Sequence, residues 1–298
     1  MDLIEKIKKL KEDRDAIILA HNYQLPEIQD IADFVGDSLE LSRIAKNAKE
    51  KIIVFCGVHF MAETASILAP EKKVLLPDIN SGCPLANMIS PDDVKRLKRE
   101  FPNAKVVAYI NTSAEVKAES DYCCTSANAI SVVEKVPSDE IIFIPDRNLG
   151  YYVSKHTNKK IYIWNGFCPT HQRILPQDIE KLKSKYPNAK VVVHPECRRE
   201  VLDLADKIAS TSGIIKFVKE DEGNEYIIGT EMGILHRLRK EVPEKIFYPA
   251  SYLSVCPNMK KNTLEKVLWA LEELNPEVKV PEPIRTRALK AIENMLNL

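Results

Sequence analysis

The chain has no apolar run approaching the roughly 18 residues a helix needs to cross a bilayer. It also has no surplus of either charge. Lys plus Arg and Asp plus Glu both number 43, which removes any bulk electrostatic reason to expect nucleic-acid or anionic-membrane partners and leaves room only for a local basic pocket. Glutamine is scarce, at positions 24, 29, 172 and 177 only, beside abundant Lys and Glu, a thermophile-type balance. A secretory leader is not apparent. In MDLIEKIKKLKEDRD, Leu3, Ile4, Ile7 and Leu10 form one apolar stripe with charges around the rest, the pattern of an amphipathic surface helix, so a cytoplasmic location is expected. The seven cysteines (Cys56, Cys83, Cys123, Cys124, Cys168, Cys197, Cys256) are odd in number and widely spaced, which argues against a disulfide framework. Paired C-x2-C knuckles are missing, and no cysteine follows Cys256.

What the sequence does have is 45% hydrophobic and 29% charged residues, ample for buried cores, and an internal repeat. FPNAKVVAYIN (101–111) and YPNAKVVVHPE (186–196) are near copies, and EDRDAIILAHNY (12–23) is a weaker third. Each follows a charged amphipathic helix (LIEKIKKLK, PDDVKRLKR, PQDIEKLKS) and reads as a buried strand. With the strand ends His21, Tyr109 and His194 in register, Tyr23, Asn111 and Glu196 lie two residues on. Asp33, Asp121 and Asp206 lie twelve on, and Ser38, Ser126 and Thr211 seventeen on. A second strand (KIIVFCGV, EIIFIPDR, EYIIGTEM), a helix and a third strand (KKVLLP, KKIYIW, EKIFYP) follow, and then Cys-Pro at Cys83, Cys168 and Cys256. The reading is α/β: three pseudo-threefold-related three-layer αβα domains with parallel sheets over 1–87, 88–173 and 174–260, a C-terminal helical region over 261–298, and an active site on the central axis.

A lone buried cysteine is commonly a small hydrophobe, but only Cys83, Cys168 and Cys256 recur at equivalent positions, each before Pro. Three thiolates on one axis suit a soft metal centre. A [4Fe–4S] cluster held by three protein ligands would keep one iron open for Lewis-acid chemistry. A Cys3His zinc site that adds His171 competes with it. Gly82, Gly166 and the prolines fit tight loops around such a centre, and Cys56, Cys123, Cys124 and Cys197 read as core residues.

AHNYQ, PEIQDIADFVGDSLELSR, DINSGCPLAN, PDRNLGYYV, HPECRREV, IGTEMGILHRL and VCPNMKKNTLEK resemble the quinolinate synthase family, A-type, along the whole chain. The resemblance implies three α/β domains around a [4Fe–4S] cluster ligated by Cys83, Cys168 and Cys256. It implies condensation of iminosuccinate (iminoaspartate) with dihydroxyacetone phosphate to quinolinate, phosphate and water in NAD biosynthesis, with an L-aspartate oxidase or aspartate dehydrogenase supplying iminosuccinate. His21, Ser38, Tyr109, Asn111, Ser126, His194, Glu196 and Thr211 map onto its substrate contacts, and Tyr23, Tyr109 and Glu196 are the candidates for proton transfer. The C-x2-C-x2-C element that some relatives carry is missing here. Within that frame Ser38, Ser126 and Thr211 are expected as helix N-caps whose helix ends bind anions. Glu196 is expected as a general base with a raised pKa. Asp33, Asp121 and Asp206 are expected to fix turns near helix C-termini, and Asp146, Arg147, Asn148 and Glu231 to support loops. Two readings from other classes stay open here: a non-catalytic metalloprotein and an aconitase-like hydro-lyase.

Overall fold

The computed structural model describes residues 2–297. Each copy forms one four-stranded, wholly parallel sheet, and the strand order is the same in all three. The first holds β1 (Ala16–His21), β2 (Phe34–Gly36), β3 (Ile52–Cys56) and β4 (Lys73–Leu75). The second holds β5 (Lys105–Tyr109), β6 (Tyr122–Cys124), β7 (Glu140–Ile144) and β8 (Lys160–Ile163). The third holds β9 (Lys190–Val193), β10 (Lys207–Ile208), β11 (Glu225–Gly229) and β12 (Ile246–Pro249). The order β2-β1-β3-β4 repeats as β6-β5-β7-β8 and β10-β9-β11-β12. The sequence predicts three strands per copy. The fourth, at the edge in each, is only two or three residues long, too short to carry a period.

The strands are apolar on both sides because helices cover both faces. In the first sheet, Ile17, Leu19, Ile53 and Phe55 pack into the main core with Leu39, Leu41, Phe60 and Met61. The alternate residues Ile18, Ala20, Val54 and Cys56 pack with Ile7, Val267 and Leu271. The third sheet divides the same way, with Val192, Tyr226 and Ile228 on one side and Val191, Val193 and Ile227 on the other. Of the N-terminal stripe, Leu3, Ile7 and Leu10 join the second core cluster, whereas Ile4 faces solvent.

The aspartates twelve residues beyond the strand ends are structural, but by a route other than the predicted one. Asp33 Oδ2 accepts from the Ile18 amide (2.8 Å), Asp121 Oδ2 from Val106 (2.8 Å) and Asp206 Oδ2 from Val191 (2.7 Å). Their own amides donate back to the carbonyls of the same residues. They open the edge strands and pin them to the neighbouring strand, and they fix no turn at a helix C-terminus.

Candidate active site

The carboxyl ends of the three sheets meet at one cavity. Its lining includes every residue the sequence offered for metal binding, substrate contact or proton transfer: His21, Tyr23, Ser38, Cys83, Tyr109, Asn111, Ser126, Cys168, His194, Glu196, Thr211 and Cys256. Parallel sheets present their strand ends this way, and here three repeats of one register do so together.

The cysteine loops are built alike. In each, the residue three beyond the second strand donates its amide to the carbonyl two before the cysteine: His59 to Ser81 (2.8 Å), Arg147 to Gly166 (2.8 Å) and Met232 to Ser254 (3.0 Å). After Cys-Pro the chain enters a 3-10 turn at Ala86–Met88, His171–Arg173 or Met259–Lys261. The amide three residues beyond each cysteine (Ala86, His171, Met259) then donates to its sulfur. Burial pushes the Cys83 thiol up to about 12 and also raises Cys168 and Cys256, so binding a metal here must release protons. Of the two glycines expected near the cysteines, Gly166 is required by backbone: a Cβ there would meet the Pro145 carbonyl oxygen at 2.3 Å. Gly82 borders open space in the cavity.

A single zinc with four protein ligands does not fit. Such an ion holds its ligands about 2.0–2.3 Å away, which brings them all within about 4.6 Å of one another. Among the described residues, the one group of three or more that lies this close is Cys168, His171 and Glu196; Cys83 and Cys256 stand outside it. Cys168, His171 and Glu196 are close enough together to hold a metal ion, and three sulfurs around one cavity, each with its own amide donor, suit a polynuclear centre.

Polar groups crowd around Glu196. Its Oε2 lies 2.8 Å from His171 Nδ1, its Oε1 accepts from Asn111 Nδ2 (3.2 Å), and the Tyr109 hydroxyl bonds the same carboxylate. Asn148 Nδ2 holds its backbone carbonyl (3.0 Å). The raised pKa expected for Glu196 is corrected by this shell. Burial opposes ionisation, but the His171 imidazole at 2.8 Å and the hydrogen bonds of His171 and Tyr109 outweigh it and hold the carboxyl below its ordinary value. Burial and the Glu196 charge in turn raise Tyr23 and Tyr109, which stay protonated as donors. His171 links the groups: its Nε2 lies 2.9 Å from Thr230 Oγ1 and 3.4 Å from the Tyr23 hydroxyl, and its Nδ1 lies 3.2 Å from Cys168 Sγ.

His21 and His194 are a matched pair. His21 Nδ1 accepts from the Tyr23 amide (3.2 Å) and His194 Nδ1 from the Glu196 amide (3.3 Å). That leaves the proton on Nε2 in both. Burial lowers both pKa values to about 3. His194 is therefore neutral, and its 3.7 Å approach to Glu196 is not an ion pair. Its Nε2 donates to Ser126 Oγ (3.1 Å).

Two of the three predicted capping roles shift by one residue, and the third moves to another position. Asp37 caps the helix Ser38–Asn47 through the Leu39 and Glu40 amides, and Ser210 caps Thr211–Glu220 through Gly213. Thr125 Oγ1 takes the Ala127 amide in the turn before Ala129–Lys135, whose N-cap position is Asn128. Asn128 makes no side-chain cap bond, and Ser38, Ser126 and Thr211, none of them a cap, line the cavity. Thr211 Oγ1 accepts from Asn22 Nδ2 (2.8 Å), which frees its own proton to donate.

His171 enters this shell as a carboxylate partner, a role the sequence did not give it. Thr170, Thr230 and Glu231 were also missed or left aside. Thr230 and Glu231 directly follow the third sheet's second strand, Glu225–Gly229, where only alignment with Asp146 could have drawn attention to them.

Against known proteins, residues 5–297 match the family model described as "Quinolinate synthetase A protein". The chain is 56% identical over 296 residues to a protein named quinolinate synthase from Thermodesulfovibrio yellowstonii, covering 99% of this chain and 98% of that one. It is 56% identical over 293 residues to the protein of the same name from Dehalococcoides mccartyi, covering 98% and 97%. It is 54% identical over 295 residues to quinolinate synthase 1 of Methanosarcina acetivorans, covering 99% and 97%.

Proposed function

Because the chain belongs to the quinolinate synthetase A family of enzymes, we propose that it condenses iminosuccinate with dihydroxyacetone phosphate to quinolinate, phosphate and water, with Cys83, Cys168 and Cys256 holding a [4Fe–4S] cluster. The observation that carries this reading is the convergence of three equivalent thiols, each with an amide aimed at its sulfur, on a cavity lined by anion-binding donors. When bound, the cluster would supply a Lewis-acidic iron for dehydration.

The substrates are anions, and the donors that face them are neutral. The Nε2–H of His21, the hydroxyls of Ser38 and Thr211, the Ser126 hydroxyl oriented by His194 Nε2, and Asn111 bind and orient carboxylate and phosphate oxygens. Neutral donors bind these anions without adding positive charge that would hold product. Tyr23 and Tyr109 stay protonated and donate to carbonyl or imine atoms as charge develops there. Glu196, held ionised with His171 at 2.8 Å, is the carboxylate placed to accept the substrate proton. Val58, Phe60, Met61 and Met259 line the rest and exclude water from the imine.

The test is an anaerobic assay of reconstituted protein with both substrates, together with iron and sulfide analysis. Brown protein with iron and sulfide near 4:4 that makes quinolinate only when both substrates are present is the expected result. Colourless protein with one zinc per chain, or quinolinate made without the triose phosphate, would sink the reading.

A further inference from the structure

Glu231 is wholly buried at the cavity edge, and both its oxygens are engaged by the protein. Oε1 accepts from the Cys256 amide (3.1 Å) and Oε2 from the Gly233 amide (2.7 Å). The Lys260 ammonium sits 2.9 Å from Oε1 and 3.1 Å from Oε2, and it also donates to the Tyr23 carbonyl. Gly233 is pressed against the same strand end, since a Cβ there would lie 2.7 Å from the Tyr23 carbonyl carbon and oxygen. A carboxylate with this many protein donors has little capacity left for substrate. What it does is join three chain segments: the Cys256 loop, the turn after β11, and the Tyr23 strand end from the first copy.

The other copies give the comparison. Two residues beyond the second strand stand Val58, Asp146 and Glu231. Asp146 is also buried and accepts from the Cys168 amide, but its Oδ2 makes no hydrogen bond. Val58 has no polar atom to offer the Cys83 loop. Only in the third copy is the carboxylate fully bonded to the cysteine loop, and only there is it tied through a lysine to a second copy.

We propose that Glu231, through Lys260, is a positioning residue that locks the Cys256 loop to Tyr23, holding one cluster ligand and one proton donor in fixed relation across two copies. This rests on the cluster reading above. Its consequence is slow release of the cluster. With the junction broken, the Cys256 loop is free to swing away, and iron becomes accessible.

The measurement is the rate at which a chelator bleaches the anaerobically reconstituted protein, in wild type, Glu231→Gln, Lys260→Met and, as a control, Asp206→Asn, which weakens a strand clamp remote from the thiols. Glu231→Gln and Lys260→Met should each bleach about tenfold faster, while Asp206→Asn bleaches as wild type despite its lower stability. Lys260→Met keeps the test sound if Glu231→Gln fails to fold, and far-UV circular dichroism decides that. Folded variants that keep the cluster as long as wild type overturn the junction. Acceleration in Asp206→Asn as large as in the other two also overturns it, because general loosening would then suffice. A wild type that takes up no iron and sulfide defeats the cluster reading first, and this inference with it.

Discussion

At the scale of single residues, the site is a set of protonation states fixed by neighbours. Glu196 is ionised because His171, Asn111 and Tyr109 surround it, and the tyrosines are protonated because it is ionised. Glu196→Gln keeps the size and loses the charge. Turnover should fall by about 10²- to 10⁴-fold, the usual worth of a general acid–base group, with iron and sulfide content unchanged. Steady-state kinetics beside metal analysis checks this, and a wild-type kcat would remove Glu196 from proton transfer. His21 and His194 carry a stability signature. Their folded values near 3 lie below the ordinary value of 6.5. Between those values the unfolded chain binds protons that the folded one refuses. Stability is therefore fully present above about 6.5 and is lost as pH falls toward 3, by up to about 1.4 kcal/mol per pH unit for each group. His21→Gln should flatten that acid slope by one proton in urea unfolding of the cluster-free chain between pH 4 and 7. An unchanged slope would mean that His21 does not carry it.

At the scale of elements, the repeat is a repeat of hydrogen bonds more than of side chains. The aspartate clamps on Ile18, Val106 and Val191 hold each edge strand in place. Asp121 also lies 3.7 Å from Lys98, and the two contributions separate by magnitude. A half-exposed ion pair is worth about 0–1 kcal/mol, whereas an orphaned amide costs about 1–3 kcal/mol. Asp121→Ala should therefore destabilise by about 1–3 kcal/mol and Lys98→Met by less than about 1 kcal/mol in urea unfolding; equal losses would assign the effect to the ion pair. Gly166 makes a sharper case. Any side chain there meets the Pro145 carbonyl oxygen, a backbone atom that cannot turn aside, so the Cys168 loop must move. Gly166→Ala should cut iron incorporation severalfold, as read by metal analysis after reconstitution, and full loading would show that the loop tolerates the shift.

Much of this was legible in the sequence because a repeat converts spacing into geometry. Once His21, Tyr109 and His194 are aligned, Glu196, Ser126 and Cys256 have nowhere to go but the common centre. What spacing does not reveal is which of two adjacent oxygens turns back onto a helix. Asp37-Ser38 and Ser210-Thr211 each offer two, and the one with extended backbone becomes the cap. Nor does spacing reveal contacts between copies. His171 meets Glu196 across 25 positions of chain, and that pairing inverts the pKa that burial alone would give.

At the scale of the whole molecule, the C-terminal helices close what the repeats leave open. Leu264–Glu273 begins eight residues after Cys256, as Pro91–Glu100 and Pro176–Lys185 begin eight after Cys83 and Cys168, so the register runs one helix past the third copy. That helix returns to the first sheet, where Val267 and Leu271 pack with Ile7, Ile18 and Val54. The chain then runs along the β4 edge, the Leu76 amide donating to Pro276 (3.1 Å) and the Val278 amide to Val74 (2.8 Å). It ends in Glu282–Leu296, whose Ala288, Ala291, Ile292 and Met295 enter the main core shared by the first two copies. The segment caps an exposed sheet edge and buries four large side chains (Val278, Val280, Ile292 and Met295) and two small ones. At about 1.5–3 kcal/mol for each large side chain, with the edge pairing added, its share is comparable to the whole stability of an ordinary domain, about 5–15 kcal/mol. Removing residues 276–298 should abolish the cooperative thermal transition and leave β4 exposed to pairing with other chains. The check is calorimetry with light scattering on the truncated chain. A monomeric product that melts cooperatively within a few degrees of the full chain would mean that the three copies are self-sufficient and the C-terminal helix is an accessory.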